Sequence, residues 1–127
     1  MSKRRIRTSL VLAVFLVVMA IAATTAAARG RQAPARATKT VRASGVSWSP
    51  ATARISRSDV IKWRGVSGTH TVTAYGGNWS FNKALSTGDV EDRTFRRAGT
   101  FRFRCTIHSS LANGDCSGMC GKVVVRS

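Results

Sequence analysis

The sequence predicts an all-β fold built from short strands. Between residue 41 and the C-terminus, apolar and polar residues alternate in short runs that Gly, Ser and Asn interrupt, which is typical of half-buried strands joined by tight turns. No stretch of this region keeps the 3.6-residue period of an amphipathic helix. Many short strands in one small region favour an antiparallel β-sandwich or a small barrel around a single core.

Seven segments carry this strand pattern. Residues 81–92 lack it, and we expect them to be irregular, with room for one helical turn. Polar turns separate the strands, and the first strand has a predicted bulge at residues 44–45. The predicted strands are residues 41–48, 51–56, 60–63, 69–75, 93–96, 100–105 and 122–126.

The chain divides into three predicted parts. Residues 1–28 combine a basic start with an uncharged apolar run and an Ala-x-Ala pattern ending near Ala28, the composition of a cleaved export signal. They are also just long enough for an uncleaved N-terminal anchor helix, so both interpretations stay open. Residues 29–40 are basic and poor in large apolar side chains, which predicts a flexible spacer. Residues 41–127 then form the folded domain.

Alternation also predicts which side chains point into the core. In the strand at residues 100–105, Cys105 shares a face with Phe101 and Phe103, whereas the arginines between them face the other way. In the strand at residues 69–75, His70 shares a face with Val72. A cysteine and a histidine are therefore expected on the apolar sides of two strands, which is what a preorganised metal site requires.

These residues belong to a set of four soft donors. Cys105 and His108 are separated by two residues, so one tight turn can bring both to a single ion. His70 is the other histidine of the chain, and Met119 precedes the last apolar strand. A thiolate, two imidazoles and a weak axial thioether are the ligands of a blue (type 1) copper site. Each residue alone also has an ordinary role in a core or a surface loop, but the joint spacing favours the metal site.

With these residues in place, the domain resembles a plastocyanin-type cupredoxin. The similarity covers residues 46–126 and includes the strands at 59–63 and 70–73, the run 98–105, and the Gly118-Met119-x-Gly121 motif before a valine strand. The resemblance implies a Greek-key β-sandwich of about eight strands, one mononuclear copper ion and electron transfer. It also implies that His70, Cys105, His108 and Met119 are the copper ligands.

The sequence departs from the family pattern in two places. Ten residues, 109–118, separate His108 from Met119, where plastocyanin-like proteins usually have a short gap, and Thr71 follows the first histidine where many members have asparagine. The inserted region contains Cys116, and Cys120 follows it. In an exported chain with three cysteines, we expect one cysteine to be a thiolate ligand and the other two, Cys116 and Cys120, to form a disulfide. A second thiolate cluster for copper storage or transfer is the alternative.

The composition limits the partners and the compartment. The domain carries 13 Lys and Arg against 5 Asp and Glu, and the whole chain has a net charge of +16, so we expect attraction to an acidic redox partner or to anionic cell-surface polymers. The arginines alternate singly with buried-type residues instead of forming a patch, which argues against nucleic acid. The protein is expected to be an extracytoplasmic monomer, either secreted, periplasmic or attached to the cell surface through its N-terminus.

The expected function is that of an electron carrier and not of an enzyme, because no nucleophile motif or acid/base pair is visible. His108 lies on a predicted loop and would be the electron port, with Ile107 and Leu111 as an apolar docking patch. Trp48, Trp63 and Phe103 are interpreted as core residues. The alternatives are a copper-delivery protein without an electron-transfer partner and a metal-free adhesion module.

Overall fold

A computed structural model of the chain describes Gly30 and residues 32–127. The predicted export signal or anchor helix, residues 1–28, lies outside the described residues. In the part of the chain that the structure describes, no helix has the length and apolar character needed to cross a membrane.

Residues 38–126 contain nine strands, against the eight or so expected, and these form two sheets. The strands are β1 (Thr38–Ser44), β2 (Ser47–Ser49), β3 (Thr52–Ser56), β4 (Val60–Ser67), β5 (Thr69–Tyr75), β6 (Asn82–Ser86), β7 (Val90–Thr94), β8 (Gly99–Ala112) and β9 (Asp115–Arg126).

The two sheets have the strand orders β2-β1-β4-β7 and β3-β9-β8-β5-β6. This arrangement confirms the predicted all-β sandwich. The pairing is mainly antiparallel, as expected, except that β1 pairs with β4 and β3 pairs with β9 in parallel. Strands that neighbour each other in a sheet are here often distant in sequence, and local alternation carries no information about such pairings.

The core lies between the two sheets and is rich in aromatic side chains. Trp63 from β4 and Trp48 from β2 both pack edge-on against Phe103 from β8, with ring centroids 5.4 and 5.2 Å apart. All three side chains are buried, as the sequence predicted. This contact joins the sheets, because β2 and β4 belong to one and β8 to the other.

The two edge strands β6 and β7 were missed by the sequence analysis, which expected residues 81–92 to be irregular and a strand at 93–96. Edge strands bury few side chains: β6 buries only Leu85, and β7 buries none of its residues. Without a buried face, these segments show no apolar alternation, although their backbones pair with β5 and β4.

The first strand also differs from the prediction. β1 begins at Thr38, within the segment assigned to the spacer, because residues 38–40 pair in parallel with residues 60–62 of β4. The preceding Ala37 is fixed as well, since its amide donates to Asp59 Oδ1 at 2.9 Å. Close to the predicted bulge at residues 44–45, the pairing of β1 with β4 shifts between Ala43 and Ser44, and residues 45–46 form the turn of a hairpin between β1 and β2.

The predicted loop between His108 and Met119 is a two-stranded ribbon formed by the ends of β8 and β9. Ser109 pairs with Gly118 and Ala112 with Asp115. The ribbon closes at Asn113 and Gly114, which have φ values of 52° and 83°. Two consecutive positive φ angles, with Gly in second place, define the tight hairpin turn that suits twisted strands.

Candidate metal centre

The candidate centre lies where the pairing of β8 with β9 is interrupted. Arg104 pairs with Cys120, and the next paired residues are Ser109 and Gly118. Residues 105–108 of β8 therefore face the single residue Met119 of β9. A bulge of this kind bends the strand and redirects its side chains. Three of the four predicted ligands lie in it: Cys105, His108 and, on the facing strand, Met119.

Cys105, His70 and His108 come together at this bulge. The Cys105 sulfur lies 3.4 Å from Nδ1 of His108 and 3.8 Å from Nδ1 of His70. The candidate donor atoms of all three residues lie within 4.8 Å of one another. Metal–nitrogen bonds of about 2.0 Å and metal–sulfur bonds of about 2.3 Å place two donors on one ion about 3.5 Å apart. The observed separations therefore fit a single metal ion, and the thiolate and two imidazoles are the donor types of type 1 copper.

His70 is fully buried and held in one orientation. Its Nε2 lies 2.7 Å from the backbone carbonyl of Ser67, so Nε2 carries the proton and donates to that carbonyl. Nδ1 is then left with a lone pair directed to the side of Cys105. A hydrogen bond from the second ring nitrogen is the usual way in which proteins fix a metal-binding imidazole.

Cys105 is also fully buried, and its sulfur accepts a hydrogen bond from the backbone amide of Thr71 at 3.5 Å. The hydroxyl of Thr71 accepts a second hydrogen bond, from the amide of Thr106, at 2.9 Å. Thr71 thus connects β5 to the residue that follows the cysteine. The sequence analysis noted Thr71 only as a departure from the family pattern and did not identify this contact.

His108 is half-buried, in contrast to the other two residues. Its neighbour Ser109 holds the backbone of the bulge, because the Ser109 hydroxyl donates to the carbonyl of Cys105. Arg104 donates to the same hydroxyl at 3.2 Å. These contacts fix a segment that has lost its regular strand partners.

Met119 is 1% exposed and lies opposite the bulge. Its backbone carbonyl accepts a hydrogen bond from the indole Nε1 of Trp48 at 3.1 Å. The preceding Gly118 has a φ of +97°, and a side chain there would collide with the backbone of His108. The methionine is thus held by contacts with β2 and with the bulge itself. Its role as a ligand stays a prediction.

The two cysteines that follow Cys105 in the chain form a disulfide beside Met119. Cys116 and Cys120 are bonded, and their Cα atoms are 6.1 Å apart. Two residues four positions apart in a regular strand would be separated by about 13 Å, so β9 folds back sharply here, at Gly118. The bridge closes a small loop that contains Met119, and Cys105 is the free cysteine.

No protein-family model matches the sequence, and no curated protein gives a significant match. Solved structures do match the fold. A reduced variant of amicyanin is 21% identical, with 72% of this chain and 85% of that chain covered and a TM-score of 0.59. An oxidized amicyanin variant is 21% identical, with coverages of 68% and 80% and a TM-score of 0.57.

A purple cupredoxin from Nitrosopumilus maritimus is also similar. It is 20% identical, and the match covers 68% of this chain and 98% of that chain with a TM-score of 0.53. The class of fold is therefore that of the cupredoxins. Within this fold, the chain carries a His-Cys-His group that could hold one metal ion, as a cupredoxin does.

Proposed function

We propose that the protein is an exported carrier of single electrons that binds one copper ion through His70, Cys105 and His108, with Met119 as the weak fourth ligand. The observation that supports this proposal most directly is the buried Cys105 sulfur within 3.4 and 3.8 Å of two imidazole nitrogens. Bound copper would supply one-electron chemistry by alternating between Cu(I) and Cu(II).

The chain's own contribution is to keep the donors in place. The Ser67 carbonyl orients His70, the Thr71 amide holds the Cys105 sulfur, and the Trp48 indole holds the backbone of Met119. These three contacts come from β4, β5 and β2, outside the bulge. Donors fixed in this way need little rearrangement between two oxidation states, which favours rapid electron exchange.

The half-buried His108 is the proposed port for electrons. Beside it, Ile107 is 55% exposed and Leu111 is 41% exposed, so two large apolar side chains face solvent near the site. The proposal is that these two side chains form an apolar patch where the partner protein docks. The excess of cations favours an acidic redox partner, with an association rate that falls as salt is added.

The disulfide supports an extracytoplasmic location, because such bonds persist in oxidising compartments. The predicted export signal, residues 1–28, supports the same location. We further propose that the protein acts as a monomer.

The decisive experiment is the visible absorption spectrum of the Cu(II)-loaded protein and of a Cys105→Ser variant. A thiolate bound to Cu(II) gives an intense charge-transfer band, which we expect in the wild type and not in Cys105→Ser. The Cys116→Ala/Cys120→Ala double variant is the matched control, because it removes the other two cysteines and should keep the band.

Reversible oxidation and reduction of the copper-loaded protein completes the test. Rapid cycling with small inorganic reagents is expected for a carrier. If the wild type binds Cu(I) tightly but forms no coloured Cu(II) species, the electron-carrier proposal is wrong and copper delivery replaces it. If purified protein takes up no stoichiometric copper, both fail.

A further inference from the structure

The end of the sandwich opposite the metal centre carries a second candidate site. β5 begins beside His70 and ends at Tyr75, which pairs with Arg102 near the start of β8. At about 3.3 Å per residue, Tyr75 lies about 17 Å along the strand from His70. This far end contains two neighbouring cavities lined by cations. The second shares Tyr75, Arg102 and Lys122 with a third cavity, to which Asp115 and the two disulfide cysteines also contribute.

The first cavity has a volume of about 310 Å³ and is lined by Arg93, Arg96 and Arg97 together with aromatic side chains. The second has a volume of about 440 Å³, and Arg102 and Lys122 contribute to its lining. Neither lining includes an acidic residue. We call these five cations and the two cavities the basic cleft.

The basic cleft corrects one expectation from the sequence. The arginines were expected to alternate singly without forming a patch, but the fold brings together cations from β7, from the segment after it, and from β8 and β9. Strand alternation places Arg102 on the outer face of β8, and pairing with β9 then adds Lys122 from a distant part of the chain.

The wall of the cleft is fixed by contacts that leave its charges unneutralised. Arg93 donates to the Ser80 carbonyl at 3.0 Å, and Arg97 donates to the Asn78 carbonyl at 3.1 Å. Both acceptors are neutral. The loop that supplies them is itself held, because the Trp79 indole donates to the Arg102 carbonyl at 2.8 Å. The guanidinium groups of Arg93 and Arg97 are thus positioned before any ligand arrives.

One contact in the cleft opposes folding. Arg102 and Lys122 lie directly opposite each other on β8 and β9, and like charges in such a pair destabilise a sheet. A bound anion would offset this repulsion. The same kind of pair, Arg42 opposite Arg64, occurs in the other sheet away from the cavities, so the pairing supports an anion site only together with the cavities that Arg102 and Lys122 line.

We propose that the basic cleft binds a linear phosphate-bearing polymer, which would hold the protein at an anionic surface while the metal end stays free. Two adjacent cationic cavities suit a ligand with several successive negative groups. Arginine guanidinium groups pair with phosphate oxygens through two parallel hydrogen bonds. Four of the five cations in the cleft are arginines, and the hydrogen bonds of Arg93 and Arg97 go to neutral carbonyls.

Other occupants fit less well. A second copy of this chain carries 21 Lys and Arg against 5 Asp and Glu, so it would be repelled. Single-stranded nucleic acid needs an open aromatic face on which bases stack. The Trp79 ring is instead stacked near Trp63 and Phe81, with the Arg93 guanidinium over it at 5.9 Å. A polymer without bases matches this surface better.

The test measures binding of end-labelled inorganic polyphosphate to the purified full chain by fluorescence anisotropy over a series of NaCl concentrations. The Arg96→Ser/Arg97→Ser variant removes two exposed cations from the cleft. We expect its Kd to rise about tenfold and the slope of log K against log salt to fall by about two, one for each lost phosphate contact.

The matched control is Arg42→Ser/Arg64→Ser. These two exposed arginines lie opposite each other on β1 and β4, in the other sheet, so the control loses the same charge away from the cleft. It should bind polyphosphate nearly as the wild type does, and the basic N-terminal residues are common to all three proteins. The visible spectrum of the copper-loaded variants should be unchanged, which separates this proposal from the proposed function.

Three results would overturn the proposal. Equal weakening in both double variants would show a diffuse effect of net charge. Equal affinity for a polyglutamate of matched length would show that phosphate is not recognised. Tighter binding of single-stranded DNA of matched charge would assign the cleft to nucleic acid.

Discussion

The two ends of the sandwich use the same strands in opposite ways. At the metal end, β5 and β8 present His70 and Cys105, which are both buried, and Cys105 begins the interrupted segment of β8. At the other end the same strands keep a regular register, and the exposed Arg102 joins cations from neighbouring segments. The metal centre depends on an interruption in the backbone pairing of β8 with β9, whereas the basic cleft lies where this pairing is intact.

This difference shows where each end is vulnerable. A bulge has lost backbone hydrogen bonds and relies on a few specific contacts, so single substitutions near Met119 should have large effects. The cleft is formed by exposed side chains on paired strands, and surface substitutions of this kind usually change stability by less than about 0.5 kcal/mol. The predictions below test this contrast.

Gly118→Ala should have the largest effect. Gly118 and Gly77 have φ values of 97° and 82°, so alanine costs about 1–2 kcal/mol at either position. At Gly118 the added Cβ also meets the backbone of His108, whereas at Gly77 nothing lies within 4 Å. Overpacking of this kind costs about 1–3 kcal/mol more. Urea unfolding should show the larger loss only for Gly118→Ala.

Gly77→Ala is the control, because Gly77 lies in the loop at the basic end. It should keep the visible band of the copper-loaded protein, whereas Gly118→Ala should weaken or lose it. Similar unfolding free energies for the two variants would mean that the bulge tolerates displacement of His108, contrary to the contrast drawn above.

Removal of the disulfide should have an intermediate effect. The Cys116–Cys120 bridge closes a loop of five residues, and the chain-entropy relation gives about 2 kcal/mol for a loop of this length. The Cys116→Ala/Cys120→Ala variant should therefore unfold at lower urea concentration. Because Met119 lies inside the loop, the reduction potential of the bound copper should shift as well. An unchanged urea midpoint together with an unchanged potential would contradict the view that the bridge holds Met119 in place.

Trp48→Phe should have the smallest of the three effects, measured against Trp63→Phe. Both indoles are buried against Phe103, but Trp48 Nε1 donates to Met119, whereas Trp63 Nε1 has no hydrogen-bond partner. Phenylalanine at position 48 leaves the Met119 carbonyl unpaired, which costs about 1–3 kcal/mol. At position 63, phenylalanine removes a donor that had no partner, so no hydrogen bond is lost there.

The readout is the difference between the two tryptophan variants, since the change in ring size is the same in each. Trp48→Phe should lose more free energy of unfolding and should alone shift the copper reduction potential. Equal potentials in both variants would show that the indole contact does not position Met119.

The sequence predicted those features that depend on local alternation. The inward positions of His70 and Cys105 follow from the period of two along a strand, and both side chains are fully buried. The edge strands β6 and β7 were missed for the same reason, because a strand with almost no buried side chains carries no such pattern.

The contacts that hold the centre were out of reach of sequence reasoning. The hydrogen bond from Trp48 to Met119 spans 71 residues, and that from Thr71 to Cys105 spans 34. Such contacts depend on which strands become neighbours, and the parallel pairs β1–β4 and β3–β9 have no local signal. The basic cleft differs, because four of its five cations lie within residues 93–102 and only Lys122 is added by pairing with β9; the local cluster of arginines was a signal that the sequence analysis did not use.

The ribbon between His108 and Met119 has a consequence for how such proteins can vary. It pairs with itself, ends in its own tight turn and begins and ends at the bulge. Residues can therefore be added or deleted in pairs at Asn113 and Gly114 without moving either end of the ribbon. The number of residues between two donors is thus a poor guide to the distance between them, and this hairpin tip is a natural place to graft a foreign peptide.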